Sequence, residues 1–172
     1  VKVILKRGAS FSKKIYNLTS YLYNHGGYPA YEGGITKYYN SGELWFKDYI
    51  KYLKDAKEYI FMEYFIIGYG KFWDTVLEVL KDKVKEGVEV YILYDGTCEI
   101  SLLPHNFSKT MQSFGIKCKP FYKVTPLLST YQNNRDHRKI TVIDGKVAFV
   151  GGTNISDEYI NEYKRFGYWK DA

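Results

Sequence analysis

Helical and strand-like hydrophobic periods alternate along most of the chain. Apolar residues recur at i, i+3, i+4 and i+7 spacing over Phe46–Ala56, and again over residues 71–86, which predicts two amphipathic helices. The run Tyr59–Ile67 is apolar on both faces except at Glu63, as expected for a strand that is covered on both sides, and Val88–Leu93 predicts another buried strand. This alternation predicts an α/β fold with one mixed β-sheet and helices on both faces.

Shorter patterns add four strands to this series. Ile35–Tyr39 and Ile116–Tyr122 have strand-like composition. Arg138–Ile143 and Lys146–Val150 flank an Asp144–Gly145 turn, and Asp-Gly between two apolar runs is the strongest short-range signal for a β-hairpin.

The first 34 residues form a region of different character. Phe11, Ile15, Leu18 and Leu22 recur at helical spacing, with Ser10 or Ser12 as the N-cap and a glycine-rich segment after His25 as the stop. Such a helix can dock on the rest of the protein or lie on a membrane surface, and docking is the favoured interpretation. We therefore expect residues 1–34 to pack on a domain of residues 35–172.

A group of polar residues surrounds the predicted hairpin. His137, Lys139 and Asp144 stand in the order His-x-Lys-x-x-x-x-Asp, and Gly151-Gly152-Thr153-Asn154 follows shortly after. Side chains two apart in a strand share a face, so the imidazole and the ammonium are predicted to address the same phosphate. Imidazole is a nucleophile or proton carrier near neutral pH, and ammonium is a compact ligand for anions.

This motif, with its Gly-Gly-Thr-Asn run, resembles the signature of the phospholipase D superfamily. The flanking segments more narrowly resemble bacterial cardiolipin synthases, from about Ile35 to the last residue. The segments that carry this likeness are Met62–Ile67, Gly87–Gly96, Arg135–Lys139, Gly152–Tyr159 and Phe166–Asp171. The resemblance implies a phospholipase D-like α/β/α sandwich.

The resemblance also implies phosphoryl transfer through a covalent phosphohistidine. His137 would attack the diester phosphorus, and in the synthases two phosphatidylglycerols give cardiolipin and glycerol. Lys139 and Asn154 would bind the non-bridging oxygens, while Gly151–Gly152 would let the backbone approach the substrate closely. Asp171 occupies the position of the acid that orients the imidazole.

Two further acidic residues belong to the candidate site. Asp144 is grouped with the catalytic residues as a member of the motif, although a carboxylate at an Asp-Gly turn usually bonds local backbone, and we expect a structural role. Glu63 is included among the substrate-binding candidates. In an apolar strand its carboxylate must be paired or neutral, so a structural hydrogen-bond hub is favoured over direct contact with substrate. The loop of residues 123–135 leads into His137 and is expected to shape the substrate entrance.

Members of this family carry two such motifs in one chain, or form dimers of chains with one motif. A single motif here predicts the first catalytic half of a longer enzyme, with little or no synthase activity by itself. The missing partner would be a second phospholipase D-type half, or another copy of this chain. Without it, an apolar face near the motif should be bare.

Composition narrows the partners only in part. A net charge of +6 favours phosphates, anionic lipid surfaces or nucleic acid without choosing among them. The 19 tyrosines suit a bilayer interface or a hydrated binding face, and equally the edges of the core. No apolar run is long enough to span a membrane, and no spacing of metal ligands occurs, so neither metal nor cofactor is expected. Cys98 and Cys118 predict reduced thiols, which fits an active site on the cytoplasmic side of the cell membrane.

Three functions remain open at this point. The favoured one is a transferase that acts on phosphatidylglycerol at an anionic membrane surface, with no nucleic acid as a partner. The alternatives are a single-motif phosphodiesterase or nuclease that works as a homodimer, and a non-catalytic module that binds anionic membranes.

Overall fold

The computed structural model describes residues 10, 12–124, 133–165 and 167–170. The chain divides between Tyr38 and Tyr39 into two compact units. The predicted entrance loop lies largely outside the described residues, since residues 125–132 are not among them, and so does Asp171.

The described part of the first unit includes the helix α1 at Lys13–Gly26. Ser12 is its N-cap, and the Ser12 hydroxyl accepts a hydrogen bond from the Lys14 N–H at 3.1 Å. Gly27 ends the helix in the left-handed conformation with φ of 69°, where a glycine has no steric penalty. The predicted helix is confirmed, and none of its residues is buried. The predicted strand at Ile35–Tyr39 is wrong, because this segment has no regular structure.

The second unit alternates helices and strands as predicted. In chain order its elements are α2 Gly42–Asp55, β1 Tyr59–Tyr64, α3 Lys71–Lys85, β2 Glu89–Asp95, α4 Cys98–Ser101, α5 Phe107–Ser113, β3 Lys117–Phe121, β4 Lys139–Ile143, β5 Val147–Val150 and a 3-10 turn at Asp157–Ile160.

The five strands form one sheet in the order β3-β2-β1-β4-β5. β1, β2 and β3 run parallel, while β4 pairs antiparallel with both β1 and β5. The predicted mixed sheet is therefore confirmed. β1 lies at its centre, with Glu63 paired to Leu93 on one side and to Ile140 on the other.

One face of the sheet is covered by α2, α3 and α5, and we call it the covered face. Tyr49 of α2, Phe72 and Trp73 of α3 and Phe107 of α5 are completely buried there. Aromatic contacts join the layers, since Phe107 lies 5.2 Å from the ring of Tyr94 in β2. Aromatic rings therefore form a large part of the core, together with aliphatic side chains such as Leu53 and Leu80.

A hydroxyl network crosses the covered face between α2 and the sheet. The Thr141 hydroxyl lies 2.8 Å from the Tyr49 hydroxyl and 2.9 Å from the Tyr64 hydroxyl. All three side chains are buried, so these hydrogen bonds between hydroxyl groups replace the ones that water would otherwise make. Cys98 and Cys118 are also buried, as free thiols.

The opposite face, which we call the open face, carries no helix from the described part of residues 39–170. Phe61 is 43% exposed, and Leu93, Ile140 and Val142 are only half-buried. With neighbouring residues they line an apolar depression of about 670 Å³. The expectation that β1 is covered on both sides is therefore wrong within this unit, and its outward side chains stay in contact with solvent.

Candidate active site

The imidazole of His137 and the ammonium of Lys139 meet at the ring of Phe65. The His137 ring centroid lies 4.7 Å from that of Phe65, and Lys139 Nζ lies 5.1 Å from the same ring. His137 is exposed, whereas Lys139 is only 5% exposed. A nucleophile open to solvent and a buried cation therefore share one aromatic surface, which suits an anionic substrate above the ring.

Strand pairing explains this meeting. Tyr64, the last residue of β1, pairs with Lys139, the first residue of β4, so the segments beyond them lie side by side. Phe65 follows Tyr64, and His137 comes two residues before Lys139. His137 thus lies just before β4, outside the strand. Phe65 was missed because its position depends on this register, which the local pattern does not give.

Lys139 also holds the backbone of His137 in place. Its Nζ donates a hydrogen bond to the carbonyl oxygen of His137 at 2.6 Å. Among the described residues, no side chain hydrogen-bonds the His137 imidazole. The orienting role of Asp171 stays a prediction, since that residue is outside the described part of the chain.

Asn154 lies buried behind the site, at 3% exposure. Its Oδ1 accepts a hydrogen bond from the Ile66 N–H at 2.9 Å, and its Nδ2 donates to the Tyr159 hydroxyl at 2.7 Å. These bonds hold the backbone next to Phe65 and use one of the two amide hydrogens. Gly151–Gly152 forms an exposed bend between β5 and Asn154. Contact of either with a phosphate stays a prediction.

Asp144 lies at the other end of β4 from Lys139 and has a structural environment. Its carboxylate accepts three backbone N–H bonds, from Lys57 at 2.9 Å, Glu58 at 2.8 Å and Tyr59 at 3.0 Å. Burial acts to raise the pKa of Asp144, but these bonds outweigh it and hold the pKa below its ordinary value. The expected bonds to the local turn are replaced by bonds to the segment before β1.

The turn itself has the predicted geometry. Asp144 and Gly145 have φ angles of 53° and 63°, and the Lys146 N–H bonds the Ile143 carbonyl oxygen at 3.0 Å. Positive φ at both central residues is the type I′ arrangement, which matches the twist of the two strands. The predicted hairpin is confirmed. The Asp144 carboxylate holds this turn in place at the far end of β4, and a part in the chemistry stays a prediction.

The two residues that flank His137 form a charged clamp with Glu63. Asp136 accepts hydrogen bonds from Arg138 Nε at 2.8 Å and from a terminal guanidinium nitrogen at 2.7 Å. The same nitrogen lies 3.0 Å from Glu63 Oε1. We call this set the Glu63–Asp136–Arg138 clamp. It connects both neighbours of His137 to the central strand.

Charge within the clamp separates the two carboxyl groups. The bonds from Arg138 hold the pKa of Asp136 well below its usual range. The hydrogen bond with Asp136, and then burial, raise the pKa of Glu63 to about 7. At mildly acidic pH the Glu63 carboxyl group is therefore protonated and donates a hydrogen bond to Asp136. Its hub-like surroundings fit the favoured structural interpretation, while contact with substrate stays a prediction.

A second ion pair positions the segment before the clamp. Arg135 lies 3.3 Å from the carboxylate of Asp95 and donates to the Tyr122 carbonyl oxygen at 2.8 Å. Asp95 is 1% exposed and also accepts from the Thr97 N–H at 2.9 Å. This ion pair was not predicted from the sequence. The available signal was an acidic residue at the carboxyl end of a buried parallel strand.

The described residues offer neither a cluster of metal ligands nor a membrane-spanning helix. They contain no group of three or more His, Cys, Asp or Glu side chains that could hold a metal ion. None of their helices is both long enough and apolar enough to cross a bilayer.

Comparison with known proteins decides the family. The family model described as "Cardiolipin synthase, PLD-like domain" matches residues 49–164, which include the His137 motif. The chain belongs to this family. A PLD-like domain of this type is thus the scaffold on which the imidazole, the ammonium and the clamp are assembled.

Curated relatives of this PLD-like domain include named cardiolipin synthases. Cardiolipin synthase 2 of Staphylococcus epidermidis is 38% identical over 151 residues, covering 88% of this chain and 31% of that protein. Cardiolipin synthase of Staphylococcus aureus is 34% identical over 173 residues, covering 96% of this chain and 35% of that protein. The chain thus spans about a third of the length of the relatives it matches.

Solved structures support the fold of the PLD-like domain. Phosphatidylserine synthase from Haemophilus influenzae superposes with a TM-score of 0.58 at 14% identity, over 78% of this chain and 31% of that one. NucT from Helicobacter pylori gives 0.54 at 15% identity, over 76% and 75% of the two chains. At these identities the likeness concerns the fold alone, and it confirms the expected phospholipase D-like class.

Proposed function

We propose that this chain is the first catalytic half of a phosphatidyltransferase, which makes cardiolipin and glycerol from two phosphatidylglycerols. The observation that carries the proposal is the pairing of the exposed His137 imidazole with the Lys139 ammonium at Phe65. The support for lipid as the substrate is the 34–38% identity to proteins named cardiolipin synthase.

In the first step an imidazole nitrogen of His137 attacks the phosphorus of one phosphatidylglycerol. A nitrogen–phosphorus bond forms, the bond from phosphorus to the glycerol oxygen breaks, and glycerol leaves with a proton from a general acid. The ammonium of Lys139 lies beside the ring and stabilises negative charge on the non-bridging oxygens.

In the second step a glycerol hydroxyl of another phosphatidylglycerol attacks the phosphohistidine. The hydroxyl proton returns to the group that acted as acid, the nitrogen–phosphorus bond breaks, and cardiolipin leaves. His137 is then free for another cycle. No second motif supplies this acid from within the chain, so we assign it to a second phospholipase D-type half or to another copy. The proposed place of action is the cytoplasmic side of the cell membrane, without nucleic acid as a partner.

The test compares the full-length product of the gene with its His137→Ala variant. Phosphatidylglycerol vesicles and plasmid DNA are incubated with each protein, and cardiolipin, glycerol and nicked DNA are measured. We expect cardiolipin from the unaltered protein and none from the variant. A matched control is His105→Ala, which removes another exposed imidazole of the same unit.

Two further measurements make the test specific. Quenching in denaturant at neutral pH, where the nitrogen–phosphorus bond survives, followed by mass spectrometry should find a phosphatidyl adduct on the peptide that contains His137. The isolated 172-residue chain should form little cardiolipin, because general acid help is worth roughly a hundred- to ten-thousand-fold. Nicked DNA without lipid product would support the nuclease alternative. Vesicle binding without any product would support the binding module.

A further inference from the structure

Helix α1 carries an apolar stripe that the described residues of its own unit leave uncovered. Ile15, Leu18 and Leu22 follow one another at intervals of three and four residues and therefore share one face of the helix. Their exposed fractions are 48%, 60% and 41%. Exposure of adjacent aliphatic side chains to water is unfavourable, so burial of this stripe against another surface would lower the free energy.

The rest of the helix surface is graded from apolar to polar. Lys13, Asn17 and Asn24 share the side opposite the stripe and are all exposed. Tyr21 and Tyr23, also exposed, lie between the two sides. A tyrosine combines an apolar ring with a polar tip, a combination that favours the boundary between a bilayer and water.

Charge separates this region from the rest of the protein. The chain has 25 basic and 19 acidic residues, and five of the basic residues but none of the acidic ones lie before Glu32. Five of the six net positive charges therefore belong to the first 31 positions. An apolar stripe within a segment of unopposed positive charge is complementary to an anionic lipid surface.

We infer that α1 lies in the interface of a bilayer that contains anionic phospholipids, with Ile15, Leu18 and Leu22 inserted among the acyl chains. The helix runs along the membrane plane, because its polar side must stay in water. This goes beyond the proposed transferase activity. It assigns membrane contact to a segment that lies outside the PLD-like domain match at residues 49–164.

The experiment measures co-sedimentation of the full 172-residue chain with two kinds of vesicle. One kind is phosphatidylcholine alone, and the other contains phosphatidylglycerol as about a third of its lipid. We expect binding to the anionic vesicles and much weaker binding to the neutral ones. Raised salt should weaken binding to the anionic vesicles, because it screens the attraction between charges. Each basic residue near the membrane surface contributes roughly fivefold to the binding constant.

The decisive variant is Leu18→Gln/Leu22→Gln, which removes most of the stripe while keeping two residues of similar helix propensity. Its matched control is Ile100→Gln/Leu102→Gln, since these side chains are exposed to nearly the same extent, at 64% and 42%. The first variant should bind anionic vesicles about tenfold or more weakly, and the control should bind unchanged. Circular dichroism of both variants checks that the helices persist.

Three results would overturn the inference. The first is equal binding to neutral and anionic vesicles, and the second is an equal loss of vesicle binding in the two variants. The third is a chain that does not bind vesicles but associates with itself, and that loses this self-association in Leu18→Gln/Leu22→Gln. The last result would assign the stripe to protein contact. Because this assay needs no turnover, it succeeds or fails independently of the transferase test.

Discussion

The two faces of the sheet are built from alternate residues of the same strands, yet they differ in almost every physical respect. On the covered face, Thr141 is fully buried between Tyr49 and Tyr64, and α2, α3 and α5 exclude water. On the open face, Phe61 is 43% exposed beside an apolar depression of about 670 Å³.

The difference shows which interactions stabilise this unit and which are free to serve a partner. Apolar alternation in a strand specifies two faces that can be buried, but burial requires a second layer. Here the helices cover one face of the sheet, and no described helix of this unit covers the other. We therefore expect the free energy of unfolding to depend on the covered face, while the open face tolerates change.

The largest effect should come from truncating one phenylalanine on each side. Phe72→Ala removes a fully buried ring that contacts Trp45 at 5.8 Å and Phe46 at 4.8 Å. We expect a loss of about 3–5 kcal/mol in the free energy of unfolding by urea. Phe61→Ala should cost about 1 kcal/mol or less, because that ring already contacts water.

This comparison should be made at two protein concentrations. Equal losses in the two variants would show that the open face is covered in solution. If the cost of Phe61→Ala rises with concentration, the cover is another copy of the chain.

A smaller effect should follow from exchanging two neighbouring residues of similar shape. Thr141→Val removes the hydroxyl that bonds both Tyr49 and Tyr64, and leaves two buried hydroxyls joined only by a contact of 3.4 Å. We expect a loss of about 1–3 kcal/mol. Val142→Thr points to the open face and should change the free energy of unfolding by about 0.5 kcal/mol or less. Similar losses in the pair would contradict the asymmetry of the sheet.

Most of the fold was predictable because it depends on local periodicity. The apolar spacing around Trp73 and Leu80 gave α3, and the Asp-Gly dipeptide gave the hairpin of β4 and β5. The failed strand at Ile35–Tyr39 has strand-like composition but does not join the described sheet, and a strand is stable only when it pairs with a neighbouring strand. The open face was missed because coverage of a sheet depends on layers that no single segment encodes.

The candidate site, like the fold, was predictable only where it depends on local spacing. The spacing of His137 and Lys139 brought both residues to one place, as expected from their separation of two positions. The surrounding contacts come from residues far apart in the chain. Phe65 reaches the site through strand register, and Asp144 binds backbone 85 or more positions away. Such contacts are properties of the tertiary structure, so sequence spacing did not reveal them.

The smallest effect concerns Glu63, a carboxyl group on the open side of β1. Its side chain is 25% exposed and lies in the clamp with Asp136 and Arg138. The hydrogen bond with Asp136, followed by burial, raises the pKa of Glu63 to about 7, above the usual value near 4.5. The folded protein therefore holds a proton that the unfolded chain releases. Its stabilising contribution is complete below pH 4.5 and is lost as the pH rises through about 7.

The difference between the unaltered chain and Glu63→Gln isolates this contribution from all other titrating groups. We expect the unaltered chain to lose on the order of 1 kcal/mol more than the variant between about pH 5 and pH 8, after allowance for solvent screening. Asp136 adds nothing to that slope, because bonds from Arg138 keep its pKa below this window. Asp136→Asn should flatten the profile as well, since Glu63 then loses its charged neighbour. Parallel profiles for all three chains in urea unfolding would show that Glu63 and Asp136 share no proton, and the clamp would then be a simple ion pair at the edge of the open face.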